Sequence, residues 1–89
     1  MADEISFEGG PGDGFENAVV IRGAANTVLG VQAEYEYLRR LLGRRDAAWR
    51  MVKQSLLHRD GRSYDHMEVL MGDGTTRIIV FDITEFFGL

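Results

Sequence analysis

Three polar residues of this chain have the types needed for hydrolytic chemistry, namely Ser55, His66 and Glu68. In the strand pairing that the turns predict, Ser55 faces His66, and Glu68 lies two residues further along the same face. A nucleophile, a base and a carboxylate are the groups that many hydrolases combine. The same pairing places Lys53 opposite Glu68, and a flat sheet face offers no oxyanion hole. We therefore expect no catalytic residue and a protein that is not an enzyme.

Two carboxylates, Asp65 and Asp82, also face each other in this pairing. Facing carboxylates repel unless they are solvated, protonated or bridged by a cation, so the pair raises the question of a metal site. A divalent cation needs more oxygen ligands than two carboxylates supply, and the chain has no cysteine to bind zinc. A solvated strand end or a shifted register would equally explain the pair. We expect neither a bound metal nor a cofactor.

The strands that carry these residues are predicted from two Asp-Gly pairs, Asp60-Gly61 and Asp73-Gly74. Asp and Gly tolerate positive φ, so this dipeptide favours a two-residue hairpin turn. Two-residue turns place Lys53 opposite Glu68, an attractive pair that supports the register. A three-residue loop at either turn would shift the register by one residue and move a strand's side chains to the other face. The three antiparallel strands are expected at residues 48–58, 63–71 and 75–83.

A strand and a helix precede these three strands. The β-branched run at residues 17–22 predicts a strand. Residues 26–42 predict a helix, in which Asn26 or Thr27 caps the first turn and Gly43 ends the last one. Its apolar residues recur every three or four positions and form one stripe, made of Val28, Val31, Tyr35, Leu38 and Leu42.

The first residues of the chain indicate a tail. Five acidic residues and the glycine-rich stretch GGPGDG occur within residues 1–16. This composition opposes burial and regular structure, so we expect a flexible acidic tail at residues 1–14 and a single domain at 15–89. Ile5 and Phe7 alternate with polar neighbours, which leaves a short edge strand open as an alternative.

The order strand, helix, three-strand meander predicts an α+β domain with an antiparallel sheet curled around one helix. In this arrangement the first strand joins the edge of the sheet, beside the second strand. The element order resembles that of cystatin-like rolls, and the resemblance covers the order of elements only. A fold like that of double-stranded RNA-binding domains would need a final helix, for which residues 84–89 are too short.

One helix can cover only one face of this sheet, and the predicted register makes both faces apolar. Monomers rarely leave such a face in water. We therefore expect an interaction module that self-associates as a homodimer, or docks on another protein, through a sheet face. One of the two faces carries both aromatic and aliphatic side chains. The candidate interface residues on it are Trp49, Met51, Tyr64, Leu70, Ile79 and Phe81.

The basic segment 39–62 supports an alternative function, the binding of a polyanion such as nucleic acid. It carries eight basic residues against two acidic ones, and phosphate contacts dominate nucleic-acid affinity. The net charge of −4 for the whole chain opposes this function, so we place it second. The candidate polyanion patch lies at the end of the helix and in the loop after it, at Arg39, Arg40, Arg44 and Arg45.

The location of the protein is also expected from composition. The first residues lack the basic start and apolar run of a secretory signal, and no apolar stretch approaches the length of a membrane span. We therefore expect a cytoplasmic protein without membrane contact. A third binding mode, an apolar ligand held between helix and sheet near Trp49 and Tyr35, stays open.

Overall fold

The computed structural model of the protein describes residues 5–89 and contains one helix and a five-stranded mixed sheet. In chain order the elements are β1 (Ser6–Gly9), β2 (Val19–Arg22), α1 (Thr27–Leu42), β3 (Trp49–Arg59), β4 (Arg62–Met71) and β5 (Thr76–Asp82). The order across the sheet is β1-β2-β5-β4-β3, and only β2 and β5 are parallel neighbours. The α+β class and a mostly antiparallel sheet are therefore confirmed. Asp3 and Glu4 of the expected tail lie outside the described residues.

The strand β2 occupies a different place from the one expected. It lies between β1 and β5, with Val19 beside Phe81, whereas we expected it beside β3. Val19 and Ile21 are buried, and a place inside the sheet suits such a β-branched run because strands on both sides pair with its backbone. The parallel pairing needs a crossover connection, which α1 and the β3–β4 hairpin provide. The predicted edge position of this strand was wrong.

The strand β1 forms within the segment that was expected to be a tail. Ser6–Gly9 pairs antiparallel with β2, and Phe7 faces Ile21. The Phe7 ring also contacts Tyr37 of α1, with ring centroids 5.0 Å apart. The edge strand that the alternation of Ile5 and Phe7 left open is thus present, so this part of the segment takes part in the sheet.

The glycine-rich stretch after β1 is attached to β5. The backbone N–H of Val80 donates to the carbonyl oxygen of Gly12, with N···O 2.7 Å. Gly12 has φ +90°, and a Cβ at this position would lie 3.1 Å from methyl groups of both Ile79 and Val19. Glycine is required here for two reasons, the left-handed backbone and the close approach to the core.

The β3–β4 hairpin has the predicted two-residue turn. Asp60 and Gly61 have φ of 52° and 79°, the left-handed pair that a tight hairpin needs. Lys53 faces Glu68, as predicted. A bulge between Met51 and Lys53 then shifts the first residues of β3 by one position relative to the predicted register.

The β4–β5 turn has three residues, so the predicted register of β5 was wrong by one. Met71 N–H donates to the carbonyl oxygen of Thr75 across the turn, with N···O 2.7 Å. The Asp73 carboxylate accepts hydrogen bonds from both the backbone N–H and the hydroxyl of Thr75. Gly74 supplies the left-handed residue, with φ +90°, that a three-residue hairpin loop requires. The side-chain hydrogen bond of Asp73 therefore favours the longer loop.

The corrected register separates the apolar and polar side chains of the sheet. The face toward α1, called the inner face, carries the buried core residues Val19, Ile21, Met67, Val69, Ile79 and Phe81. The opposite face, called the outer face, mixes apolar Leu57 and Leu70 with polar residues such as Ser55, His66 and Glu68. The outer face also carries Ile78 and the fully buried Val80, so it is less apolar than the inner face without being wholly polar.

The helix α1 begins and ends as predicted, but only part of the predicted apolar stripe is buried. The Asn26 side chain accepts from the Leu29 N–H at 2.9 Å, and the Gly43 N–H donates to the Arg39 carbonyl. The predicted stripe member Val28 is 65% exposed. Leu38 and Leu42 are buried as predicted, and Gly30, Ala33 and Glu34 are buried beside them. Within the described residues no helix is long and apolar enough to cross a membrane.

Gly30 sets the distance between α1 and the C-terminal turn. A Cβ at Gly30 would overlap the aromatic ring of Phe86, which is fully buried. Gly30→Ala is therefore expected to destabilise the protein by about 1–3 kcal/mol, although alanine is the better helix former. Chemical denaturation measures the difference.

Two further variants identify the cause of that loss. Gln32→Ala, at an exposed position of the same helix, should change stability by less than about 0.5 kcal/mol. Adding Phe86→Leu to Gly30→Ala should recover part of the loss, since the two side chains compete for one space. A Gly30→Ala protein as stable as the wild type would contradict this account of the contact.

Candidate functional site

The six predicted interface residues do not share a face. Tyr64 and Leu70 lie on the outer face and are half-buried. The bulge in β3 and the three-residue β4–β5 turn cause this separation, so the predicted grouping was wrong. The other four lie on the inner face within or against the core, and they are Trp49, Met51, Ile79 and Phe81.

The predicted polyanion patch lies at one end of α1 and in the loop after it, and one of its four positive charges is balanced by Glu36. Arg39 and Arg40 both form ion pairs with Glu36. The Arg45 guanidinium lies over the ring of Tyr35, 4.8 Å from its centroid. Polyanion binding through this patch stays a prediction, and the ion pairs with Glu36 reduce the charge that it offers.

The three residues that suggested hydrolytic chemistry, Ser55, His66 and Glu68, are only partly brought together by the fold. Ser55 faces His66 on the outer face, and Lys53 faces Glu68, as predicted. Within residues 5–89 no hydrogen bond joins the Ser55 and His66 side chains. Instead the His66 ring stacks against Phe15, with centroids 6.0 Å apart. This arrangement does not orient a base toward a nucleophile.

The expected pair of facing aspartates is absent from the described sheet. Asp65 faces Phe81, because the three-residue turn moves Asp82 one position along. Burial raises the pKa of Asp82, but hydrogen bonds from Arg62 and Thr84 outweigh burial and hold it below its usual value. Across residues 5–89 no group of three or more His, Cys, Asp or Glu side chains could hold a metal ion.

A buried carboxyl pair does form, between α1 and β4. Glu34 is completely buried and Asp65 is nearly so. Neither carboxyl oxygen of Glu34 receives a hydrogen bond from any donor in residues 5–89. Burial, and then the hydrogen bond and charge of Asp65, raise the pKa of Glu34 to about 10. At neutral pH Glu34 is therefore protonated, and its own proton supplies the hydrogen bond to Asp65.

The carboxyl pair is a structural contact rather than a reaction site. Perturbed carboxyl groups often mark active sites, but Glu34 has no solvent-exposed surface through which a substrate could reach it. The contact between the two carboxyl groups links α1 to β4. Glu34 was not among the predicted site residues, although it lies four residues after Gly30 and four before Leu38, on the side of the helix that periodicity can identify.

The strand β3 lies at one edge of the sheet and has a strand neighbour on one side only. In a two-residue hairpin the residues next to the turn, Arg59 and Arg62, form a hydrogen-bonded pair, and such pairs alternate along the ladder. The backbone groups of Gln54, Leu56 and His58 therefore point away from β4. Within the described chain no backbone hydrogen bond joins these residues to a further element.

Apolar side chains lie on both sides of this edge. Val52, Leu56 and Leu57 are 52%, 46% and 37% exposed. Leu56 lies on the inner face, outside the area that α1 covers, and Leu57 lies on the outer face. The exposed Phe87 ring stands beside His58, with ring centroids 5.5 Å apart. The edge therefore combines free backbone groups with exposed apolar surface.

The edge is also positively charged. β3 contains Arg50, Lys53 and Arg59 and no acidic residue. None of the three forms an ion pair with another residue of the described chain. Arg59 lies over the ring of Phe15, 4.5 Å from its centroid. The sequence signal for this site was the basic segment, but the edge position of β3 had to come from the strand order.

No family model, curated protein or solved structure matches this chain.

Glu34→Gln is expected to flatten the dependence of stability on pH. The folded protein keeps the Glu34 proton up to about pH 10, whereas the unfolded chain releases it near the ordinary glutamate pKa. The wild-type free energy of unfolding should therefore fall as pH rises from the ordinary value toward 10, by at most about 1.4 kcal/mol per pH unit from this group. Glutamine donates to Asp65 at every pH. Denaturation across this pH range measures both profiles.

Glu36→Gln is the matched control for this experiment. Glu36 lies two residues further along α1, and hydrogen bonds from Arg39 and then Arg40 lower its pKa. Both its folded and unfolded forms are ionised above the ordinary glutamate pKa, so the control should keep the wild-type slope there. Parallel profiles for wild type and Glu34→Gln would show that Glu34 is not the protonated group.

Proposed function

We propose that this protein is a small non-enzymatic interaction module that binds an extended polypeptide segment by strand addition at the edge of β3. The observation that carries the proposal is a long edge strand, Trp49–Arg59, whose outward backbone groups and apolar side chains are exposed together. The edge carries cations and a bulge, two devices that can protect an unused edge, but it is neither short nor covered by another element of the described chain.

Strand addition makes use of each feature of this edge. The outward N–H and C=O groups of Gln54, Leu56 and His58 provide a ladder for an incoming backbone. Leu56 on one side and Leu57 on the other offer apolar contact to alternate side chains of the segment. Backbone hydrogen bonds would supply affinity in this mode, and the side chains would supply selectivity.

The bulge limits the length of the segment that can bind. It lies between Met51 and Lys53 and disrupts the regular ladder there. The regular part of the edge runs from residue 53 to 59, which is about 20 Å. A bound segment of about six or seven residues matches this length.

Self-association remains a second proposal. Tyr64 of the candidate interface faces the exposed Leu57 on the outer face, and Leu70 is half-buried further along β4 on the same face. This apolar group supports a homodimer through the outer face, although charged residues share that face. The cytoplasmic location and the resemblance to cystatin-like rolls also remain predictions.

Peptides selected from a random library for binding to this protein are expected to bind at β3. Leu56→Lys should weaken them about tenfold, because a charge replaces apolar contact beside the ladder. Methylating every second backbone nitrogen of a peptide should abolish binding for one set of alternate residues and spare it for the other, since only one set faces β3. Fluorescence anisotropy measures both effects.

Val28→Lys is the control for the Leu56 variant, because Val28 is an equally apolar, more exposed residue on α1. It should leave peptide affinity unchanged. Peptides that lose equal affinity in both variants, or that ignore which nitrogens are methylated, would place the binding site elsewhere.

The homodimer proposal predicts a concentration-dependent mass. Sedimentation should show twice the 10.0 kDa of one chain, and Leu70→Lys should return the protein to one chain, because it places a charge within the apolar contact. Leu89→Lys, at an exposed residue of the C-terminal turn, should not. A single-chain mass throughout would rule out the homodimer and leave strand addition untouched.

A further inference from the structure

We propose that the segment bound at β3 is acidic, with carboxylate side chains alternating with apolar ones. The inference rests on the proposed strand addition and names its partner by chemistry. It follows from the charge of β3, from the side of the sheet on which each of its side chains lies, and from the exposed apolar surface beside it.

The cations of β3 lie on one side of the incoming segment. Lys53 and Arg59 share the outer face, together with Ser55 and Leu57, because side chains alternate along a strand. Arg50, beyond the bulge, faces Leu70 and therefore also lies on the outer face. Carboxylates at alternate positions of an added strand would face these cations directly across the ladder, where opposite charges attract.

The other side of the segment meets apolar surface. Leu56 lies between Gln54 and His58 on the inner face and is 46% exposed. The Phe87 ring stands next to His58, and its own exposed surface extends this apolar area beside the edge. Apolar side chains at the remaining alternate positions of the segment would be buried there. The complementary ligand is therefore amphipathic in the extended conformation.

Two other occupants fit the edge less well. A second copy of this chain would add an identical β3, which brings three further cations and no carboxylate to the same ladder. A single-stranded nucleic acid would match the charge, but its phosphates cannot donate hydrogen bonds to the outward carbonyl groups of β3. An acidic polypeptide satisfies both the charge and the backbone.

A matched set of synthetic peptides tests the inference. The first alternates Glu with Val, the second replaces each Glu by Gln, and the third replaces each Glu by Lys. At low salt the Glu peptide should bind about tenfold more tightly than the Gln peptide, and the Lys peptide more weakly than both. The difference between Glu and Gln should shrink at high salt, because the charges are exposed.

Charge variants of the protein identify the cations that cause the difference in affinity between the Glu and Gln peptides. The double variant Arg50→Gln/Lys53→Gln should bring the Glu peptide close to the Gln peptide while the Gln peptide keeps its affinity. Arg44→Gln, an exposed cation outside β3, is the control and should keep the difference. A single-stranded oligonucleotide and the protein's own mass at the same concentrations are measured in parallel.

The possible results distinguish a failure of the acidic-partner proposal from a failure of strand addition. Equal binding of the Glu and Gln peptides, with sensitivity to methylation of alternate nitrogens, overturns the acidic partner and keeps strand addition. Binding that ignores methylation and Leu56→Lys overturns strand addition itself. An oligonucleotide that binds more tightly than the Glu peptide and depends on Arg50 and Lys53 overturns the acidic peptide in favour of nucleic acid. A dimer that Leu56→Lys disrupts overturns it in favour of a second copy.

Discussion

A single helix has to cover a sheet that is wider than itself, and most features of this molecule follow from that constraint. An α-helix is about 10 Å across, while five paired strands span about 19 Å. Helix α1 packs on the core formed by β2, β5 and β4 and does not reach the far half of β3. Trp49, near the end of α1, is buried, while Leu56 further along the same strand is exposed. The position of the core and the position of the free edge therefore have one cause.

The local elements could be predicted from the sequence because their causes are local. The Asp60-Gly61 turn needs only two residues that accept positive φ, and the Asn26 cap needs only a side chain near the first free amides of α1. The predicted length of the Asp73-Gly74 turn was wrong because the Asp73 carboxylate also accepts hydrogen bonds from Thr75. These hydrogen bonds favour a loop of three residues. The place of β2 depends on a partner at the other end of the chain, and no local pattern contains that information.

The candidate site also combines features that local sequence predicts with features that depend on distant residues. The basic character of the middle segment was evident, and the ion pairs of Arg39 and Arg40 with Glu36 follow from spacings of three and four residues. The cations of β3 become candidates for ligand binding only once the strand order is known. On a central strand the same residues would have paired neighbours on both sides. Glu34 was missed for a different reason. A glutamate on an apolar stripe looks misplaced until burial and the nearby Asp65, from a distant strand, are seen to favour its neutral form.

The parallel contact between β2 and β5 has a consequence for how the molecule assembles. The β3–β4 hairpin joins neighbours in the chain and can form early, with little loss of chain entropy. β2 cannot complete its pairing until β5 has docked against β4, because its ladder partners Phe81 and Asp82 belong to the last strand. During synthesis on the ribosome β2 can pair with β1 and contact α1 early, but its other edge stays unpaired until β5 has emerged.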